Sequence, residues 1–223
     1  MATNHNQHAA HNHNSKDFEN DLTSQQRTSL NQTNDHLDVQ VYVQIRRREQ
    51  FDISFDRNFE DYEMGFGDYC GAGDFWLGLK KLHQKTQFGR WHLRLSMRIF
   101  SDSIVFWGEW RDFKIHQAPL YTLTFGTMIA KSDNMANTTG TQDGLDFHNR
   151  MAFSTPDTDQ DMWTYGNCAA DYAAGWWYEQ CHRANLNGKM APSASVDYEQ
   201  MSYNDGDAWK MISRSEMKMI RVA

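Results

Sequence analysis

Three runs near the middle of the chain, 91–100, 104–113 and 120–128, alternate apolar and polar residues with a period of two and are rich in aromatics. That period is the mark of strands with one buried and one wet face, and turn residues separate the runs. They predict an antiparallel meander, the arrangement that tolerates water on one side of the sheet. A further alternating stretch at 38–45 predicts one more strand. Arg46, Arg47 and Arg48 follow it and are expected to form a solvated edge without a functional role. The pattern over 55–64 predicts an amphipathic helix stopped by Gly65 and Gly67, and 74–83 a second helix with an apolar stripe. From Ser132 onward periodicity fades into Gly, Asn, Asp and Ser with isolated aromatics, which predicts a loop-rich half that lacks ladders and needs staples.

Composition narrows the partners. The net charge is −7, so phosphate backbones and anionic bilayers are disfavoured and no nucleic acid or membrane partner is expected. No run of about eighteen apolar residues offers a transmembrane span, and no secretory signal is visible. Hydrophobic residues make up only 39%, yet aromatics reach 13% with eight Trp, which a disordered chain would not carry. The exception is 1–36, a polar His- and Asn-rich tract with too few large apolar side chains to offset the entropy of ordering; it is read as a disordered tail, with a short helix at 17–30 as its one candidate element. The folded domain is placed at 37–223.

Two local features bear on chemistry. Asp157, Asp159 and Asp161 stand at alternate positions, where three carboxylates repel one another unless a hard cation such as Ca²⁺ neutralises them. An EF-hand would need Gly and Glu where Met162 and Cys168 stand, so that site is excluded, and by itself such a run is more often a solvated acidic turn. The three cysteines, Cys70, Cys168 and Cys181, contain no closely spaced pair for zinc. Cys168 and Cys181 are spaced for a closed loop, and two buried thiols fit equally well. No nucleophile–base motif is present, so an enzyme is not expected.

Taken in order, Gly65-Phe-Gly67, Asp74-Phe-Trp-Leu-Gly78, Phe153-Ser-Thr155, the Asp157–Asp161 run, Asn167-Cys-Ala169, Gly175-Trp-Trp-Tyr178, Cys181-His182, Asn185-Leu-Asn-Gly188 and the Met217-Lys-x-Ile-Arg221 ending resemble the fibrinogen C-terminal, or fibrinogen-related, domain family. The resemblance implies an α+β fold: a twisted antiparallel sheet with flanking helices, then a loop-rich subdomain holding calcium and a ligand pocket. It implies a Cys168–Cys181 disulfide and a chain lacking most of the family's N-terminal subdomain. Cys70 matches no family cysteine. The resemblance also implies Ca²⁺ held by the side chains of Asp159 and Asp161 and the carbonyls of Trp163 and Tyr165, with Asp157 supporting the loop. Beside it would lie an acetyl pocket walled by Tyr172, His182 and Tyr203, with Asn204 next to Tyr203. Main-chain N–H groups at Cys181 and His182 would face the acetyl oxygen, next to a cis Gln180–Cys181 peptide.

The expected function is therefore a calcium-dependent, secreted lectin of innate-defence type for acetylated glycans. The alternative is an extracellular protein-interaction domain of the tenascin or angiopoietin sort. Tyr172, standing where fibrinogen's own peptide-binding hole has an acid, favours the acetyl reading. The segment after Trp209 is shorter than in relatives and drops the aromatic that closes the pocket in some lectins. No oligomerising segment is visible, although oligomerisation is common among relatives. Asn31 and Asn137 lie in glycosylation sequons, which matter only for a secreted chain.

Overall fold

A computed structural model describes residues 42–48, 52–100, 105–133, 135, 144–189, 199–206 and 208–222. The polar tract with its candidate helix, the start of the first strand and both sequons lie outside the described residues.

Among the described residues the main sheet runs β2 (Phe66–Gly67), β3 (Phe75–Trp76), β1 (Tyr42–Arg48), β11 (Trp209–Val222), β4 (Arg90–Ile99), β5 (Val105–Trp110), β8 (Met128–Lys131), with each neighbouring pair antiparallel. On β11, β10 (Ser202–Asn204) pairs with Trp209–Met211, and β10 pairs in turn with β9 (Ala184–Asn185). A separate ribbon joins β6 (Lys114–Ile115) to β7 (Leu123–Thr124). The meander appears as β4, β5 and β8, but the third alternating run holds only β7 and the start of β8. A cis Ala118–Pro119 peptide and a left-handed Tyr121 precede β7. The strand at the centre of the sheet is β11, in the half where the sequence predicts loops. Its alternation is masked because Arg, Ser and Lys share it with flexible Met217 and Met219, both fully buried.

The two helices are shorter than their hydrophobic patterns. Helix α1 (Phe59–Met64) starts only at Asn58, whose side chain accepts from the Asp61 N–H, as an N-cap does. Helix α2 (Leu79–Thr86) starts five residues past the predicted point, because Phe75–Trp76 is drawn into the sheet against β1 and β2. Gly78, with φ near +107°, makes the turn between them, and a side chain there would press on the Met64 carbonyl 2.7 Å away.

The core lies on one side of the sheet, where Leu93, Leu95, Met97, Phe106 and Met217 point. From there Tyr62 and Trp76 meet Phe153 and Trp177 of the loop-rich half, with ring centroids 5.0–5.8 Å apart and angled as aromatic pairs prefer.

Arg46 and Arg48, after β1's apolar run, are not a solvated edge. Arg46 is fully buried: Nε donates to Asn187 Oδ1 (2.5 Å) and Nη1 to Ser215 Oγ (2.6 Å). Arg48 is 5% exposed, donates to the Ile53 carbonyl, pairs with buried Asp74 at 3.6 Å and stacks on Phe55. Charge alone suggested solvent; apart from the Ile53 carbonyl, the acceptors that make burial tolerable come from residues 26 to 169 positions away, which no local reading reveals.

Candidate functional site

A short helix, α3 (Cys168–Asp171), is capped by the Asn167 side chain, which accepts from the Ala170 N–H. Its first residue is joined to Cys181 by a disulfide with Cα atoms 5.3 Å apart. The Gln180–Cys181 peptide is cis. Tyr172, just beyond α3, is thereby set against the segment after Cys181, and its ring meets that of His182 edge-on at 4.4 Å. Trp209, the first residue of β11, approaches the same imidazole edge-on at 5.5 Å. Tyr178 lies beside both Tyr172 and His182 and is fully buried, its hydroxyl donating to the Ala174 carbonyl. Tyr172, His182 and Trp209 are half-buried, so they form an open aromatic cluster. The Cys181 N–H beside it meets no acceptor among the described residues.

Two expected pocket residues lie in β10. Tyr203 is fully buried, with Phe106 6.2 Å away and Gly144 directly against its ring. Asn204 is also buried; its N–H donates to the Arg183 carbonyl (2.7 Å) and its side chain accepts from Gly206. Through β10 these two bring Ala184 and Trp209 into neighbouring rows.

Beneath the cluster stands His148, which the sequence reading passed over. It is fully buried in the 3₁₀ turn Asp146–His148. Nδ1 lies 2.7 Å from the Trp177 carbonyl and must carry the proton; Nε2 then accepts from the N–H groups of Arg183 (3.2 Å) and Ala184 (3.0 Å). Burial pushes its pKa down to about 3, so the ring is neutral and keeps its acceptor. Trp209 was noted only as a landmark before the shortened segment. Nothing local marks either residue, since their partners are set by the fold.

The acidic loop is tied to the cluster at two points. Asp161 Oδ2 accepts from the Cys168 N–H (2.8 Å) and Oδ1 from Trp163 (2.8 Å), while the Met162 N–H donates to the Glu179 carbonyl. Asp159 accepts from the Asp161 N–H, and the two carboxyl groups come within hydrogen-bonding reach of each other. Burial first, and then the charge of Asp159, raise the Asp161 pKa. Asp157 turns away, accepting from Phe59 N–H (2.9 Å) and Thr155 Oγ1 (2.7 Å) at the start of α1. Trp163 is half-buried and Tyr165 is 91% exposed. Among the described residues no three His, Cys, Asp or Glu side chains converge, so a cation here would draw on two carboxylates and main-chain oxygens. Two facing carboxylates on an irregular loop are a hard-oxygen donor set of the kind Ca²⁺ takes. Cys70 is an exposed free thiol far along the chain from these groups.

A family model described as the C-terminal globular domain of fibrinogen beta and gamma chains matches residues 6–222. The chain belongs to this family. This fibrinogen-type domain is similar to tenascin-R of mouse and of human, 35% identical over 153 residues, which is 68% of this chain and 10% of that protein. It is also similar to fibrinogen-like protein 1 of Mesocricetus auratus, 35% identical over 148 residues, covering 65% of this chain and 46% of the relative. The chain thus spans a tenth to under half of these relatives' lengths. Among solved structures it resembles the fibrinogen-like globe domain of human ANGPTL2, with a TM-score of 0.69, 27% identity and 80% and 79% of the two chains covered. It also resembles lamprey fibrin D-dimer complexed with the peptide ligand Gly-His-Arg-Pro-amide, with a TM-score of 0.67, 25% identity and 81% and 61% covered. The α+β architecture is that of the fibrinogen-like globes. No helix among the described residues is long and apolar enough to cross a membrane.

Proposed function

We propose that the chain is a non-catalytic, extracellular protein-interaction module that takes an extended peptide segment of its partner on the Tyr172–His182–Trp209 cluster. The observation that carries this reading is the openness of the cluster. Tyr203 does not close it, so it offers an aromatic shelf with the Cys181 N–H at its rim, suited to a peptide's side chain and carbonyl. The lamprey fibrin structure, solved with a short peptide, lends it support.

Asp159 and Asp161 hold Ca²⁺ in this reading, with the carbonyls of Trp163 and Tyr165. The ion supplies positive charge that relieves the two carboxylates. The loop's hydrogen bonds to Cys168 and Glu179 then keep α3 and the Cys181 segment in register. A second reading, recognition of acetylated glycans, rests on the edge-on aromatic pair, which suits an acetyl methyl, and on the adjacent N–H.

Immobilised Gly-His-Arg-Pro-amide and an N-acetylglucosamine resin test both. The peptide is expected to capture the chain in calcium and release it in EDTA, with Tyr172→Ala, His182→Ala and Trp209→Ala each weakening capture by about 2 kcal/mol. Capture by the sugar alone would put the second reading in first place, and capture by neither would end the assignment of the cluster.

A further inference from the structure

The side of the sheet turned away from the core has its own character. Every outward residue of β4 is cationic, His or Ser: Arg90, His92, Arg94, Ser96 and Arg98 alternate with Trp91, Leu93, Leu95, Met97 and Ile99. The register sets Lys218 of β11 opposite Arg94, and Arg214 opposite Arg98. Like charges directly across a ladder oppose pairing, so two such pairs on one face, with Ser96 opposite Glu216 between them, are a feature that folding alone does not favour.

Among the described residues, acid on this face is sparse and already engaged. Glu216 pairs with Lys218 (2.8 Å) and accepts from Gln44, and Glu109, opposite Arg94 on β5, turns to His92 (3.1 Å). Arg94 and Arg98 make no ion pair among the described residues. Arg94 instead lies flat on the Trp107 indole, 3.9 Å from its centroid, at a shallow cavity of about 320 Å³ lined by Arg94, Ser96, Trp107 and Lys218. In a chain of net charge −7 this is a local reversal of sign.

We propose that this face of β4 and β11 docks an anionic polysaccharide, whose sulfate or carboxylate groups pair with Arg94, Arg98, Arg214 and Lys218. Charge complementarity points to an anion, and the form of the surface points to a polysaccharide. Both strands are hydrogen-bonded on each side, so no main-chain edge is offered to an added peptide strand. The cavity is shallow and polar and gives no apolar pocket to anchor a peptide side chain. Along each strand the two cations stand about 13 Å apart, four residues at about 3.3 Å each, and across strands about 5 Å apart. A chain that repeats an anionic group can follow such a lattice.

Heparin serves as the probe, with the whole chain as analyte. Retention at physiological ionic strength, ~0.15 M, is expected, weakening as salt rises. Arg94→Gln/Arg98→Gln and Arg214→Gln/Lys218→Gln, made separately so that one pair stands in if the other misfolds, should each lower the slope of log K against log salt by about two, one per cation. Lys80→Gln/Lys114→Gln, which removes the same charge away from this face, should leave it unchanged. Absence of retention, an equal loss in the Lys80/Lys114 variant, or equal capture by polyglutamate or duplex DNA would overturn the proposal.

Discussion

His148 shows how much one side chain can govern. Its folded pKa, about 3, lies below the unfolded value near 6.5. The unfolded chain therefore takes up a proton that the native ring refuses, and stability is full above pH 6.5 and falls as the pH drops toward 3. Between those limits the loss is roughly 1.4 kcal/mol per pH unit. Comparing melting temperatures of the native chain and His148→Gln at pH 7 and pH 4.5 isolates this contribution from the carboxylates. The variant should show the smaller acid-induced drop, and parallel curves would refute the buried neutral ring. Arg48 is governed by the same physics with the opposite outcome. With its charge matched by Asp74, Arg48→Ala strands a buried carboxylate and should cost roughly 3–5 kcal/mol in denaturant unfolding.

At the scale of elements, the acidic loop divides its labour. Asp157 serves the start of α1, whereas Asp159 and Asp161 face each other. Asp157→Ala should lower stability by about 1 kcal/mol with or without calcium, as loss of a helix-start acceptor does. Asp159→Ala/Asp161→Ala should instead abolish any rise in melting temperature on adding calcium; a rise that persists would remove the metal from these residues. Replacing Cys168 and Cys181 with Ala should cost roughly 3 kcal/mol by freeing the loop they close. The cysteines, the acids and His182 could be named from sequence because each stands in an ordered series of short motifs, Tyr172 because that series implies its place, and β4 and β5 because their period is unbroken. Trp209, His148 and the buried role of Tyr203 could not, since each depends on β10 bringing β9 beside β11, a pairing between positions distant along the chain. Strand β11 was hidden by its polar outward residues.

Across the whole molecule, the rings of Tyr62, Trp76, Phe153 and Trp177 join the sheet to the loop-rich half, and Arg46 does so again through Asn187, whose amide donates to the Gly175 carbonyl. The sheet and the cluster therefore share one core among the described residues. Trp209 adds a mechanical consequence. It is both an edge of the cluster and the first residue of a fourteen-residue strand, paired with β10 at that end and held farther along by β1 on one flank and β4 on the other. A tethered partner tugging there would load that strand lengthwise, stressing many ladder bonds together in shear instead of peeling them one by one. Such an attachment point is built to bear tension.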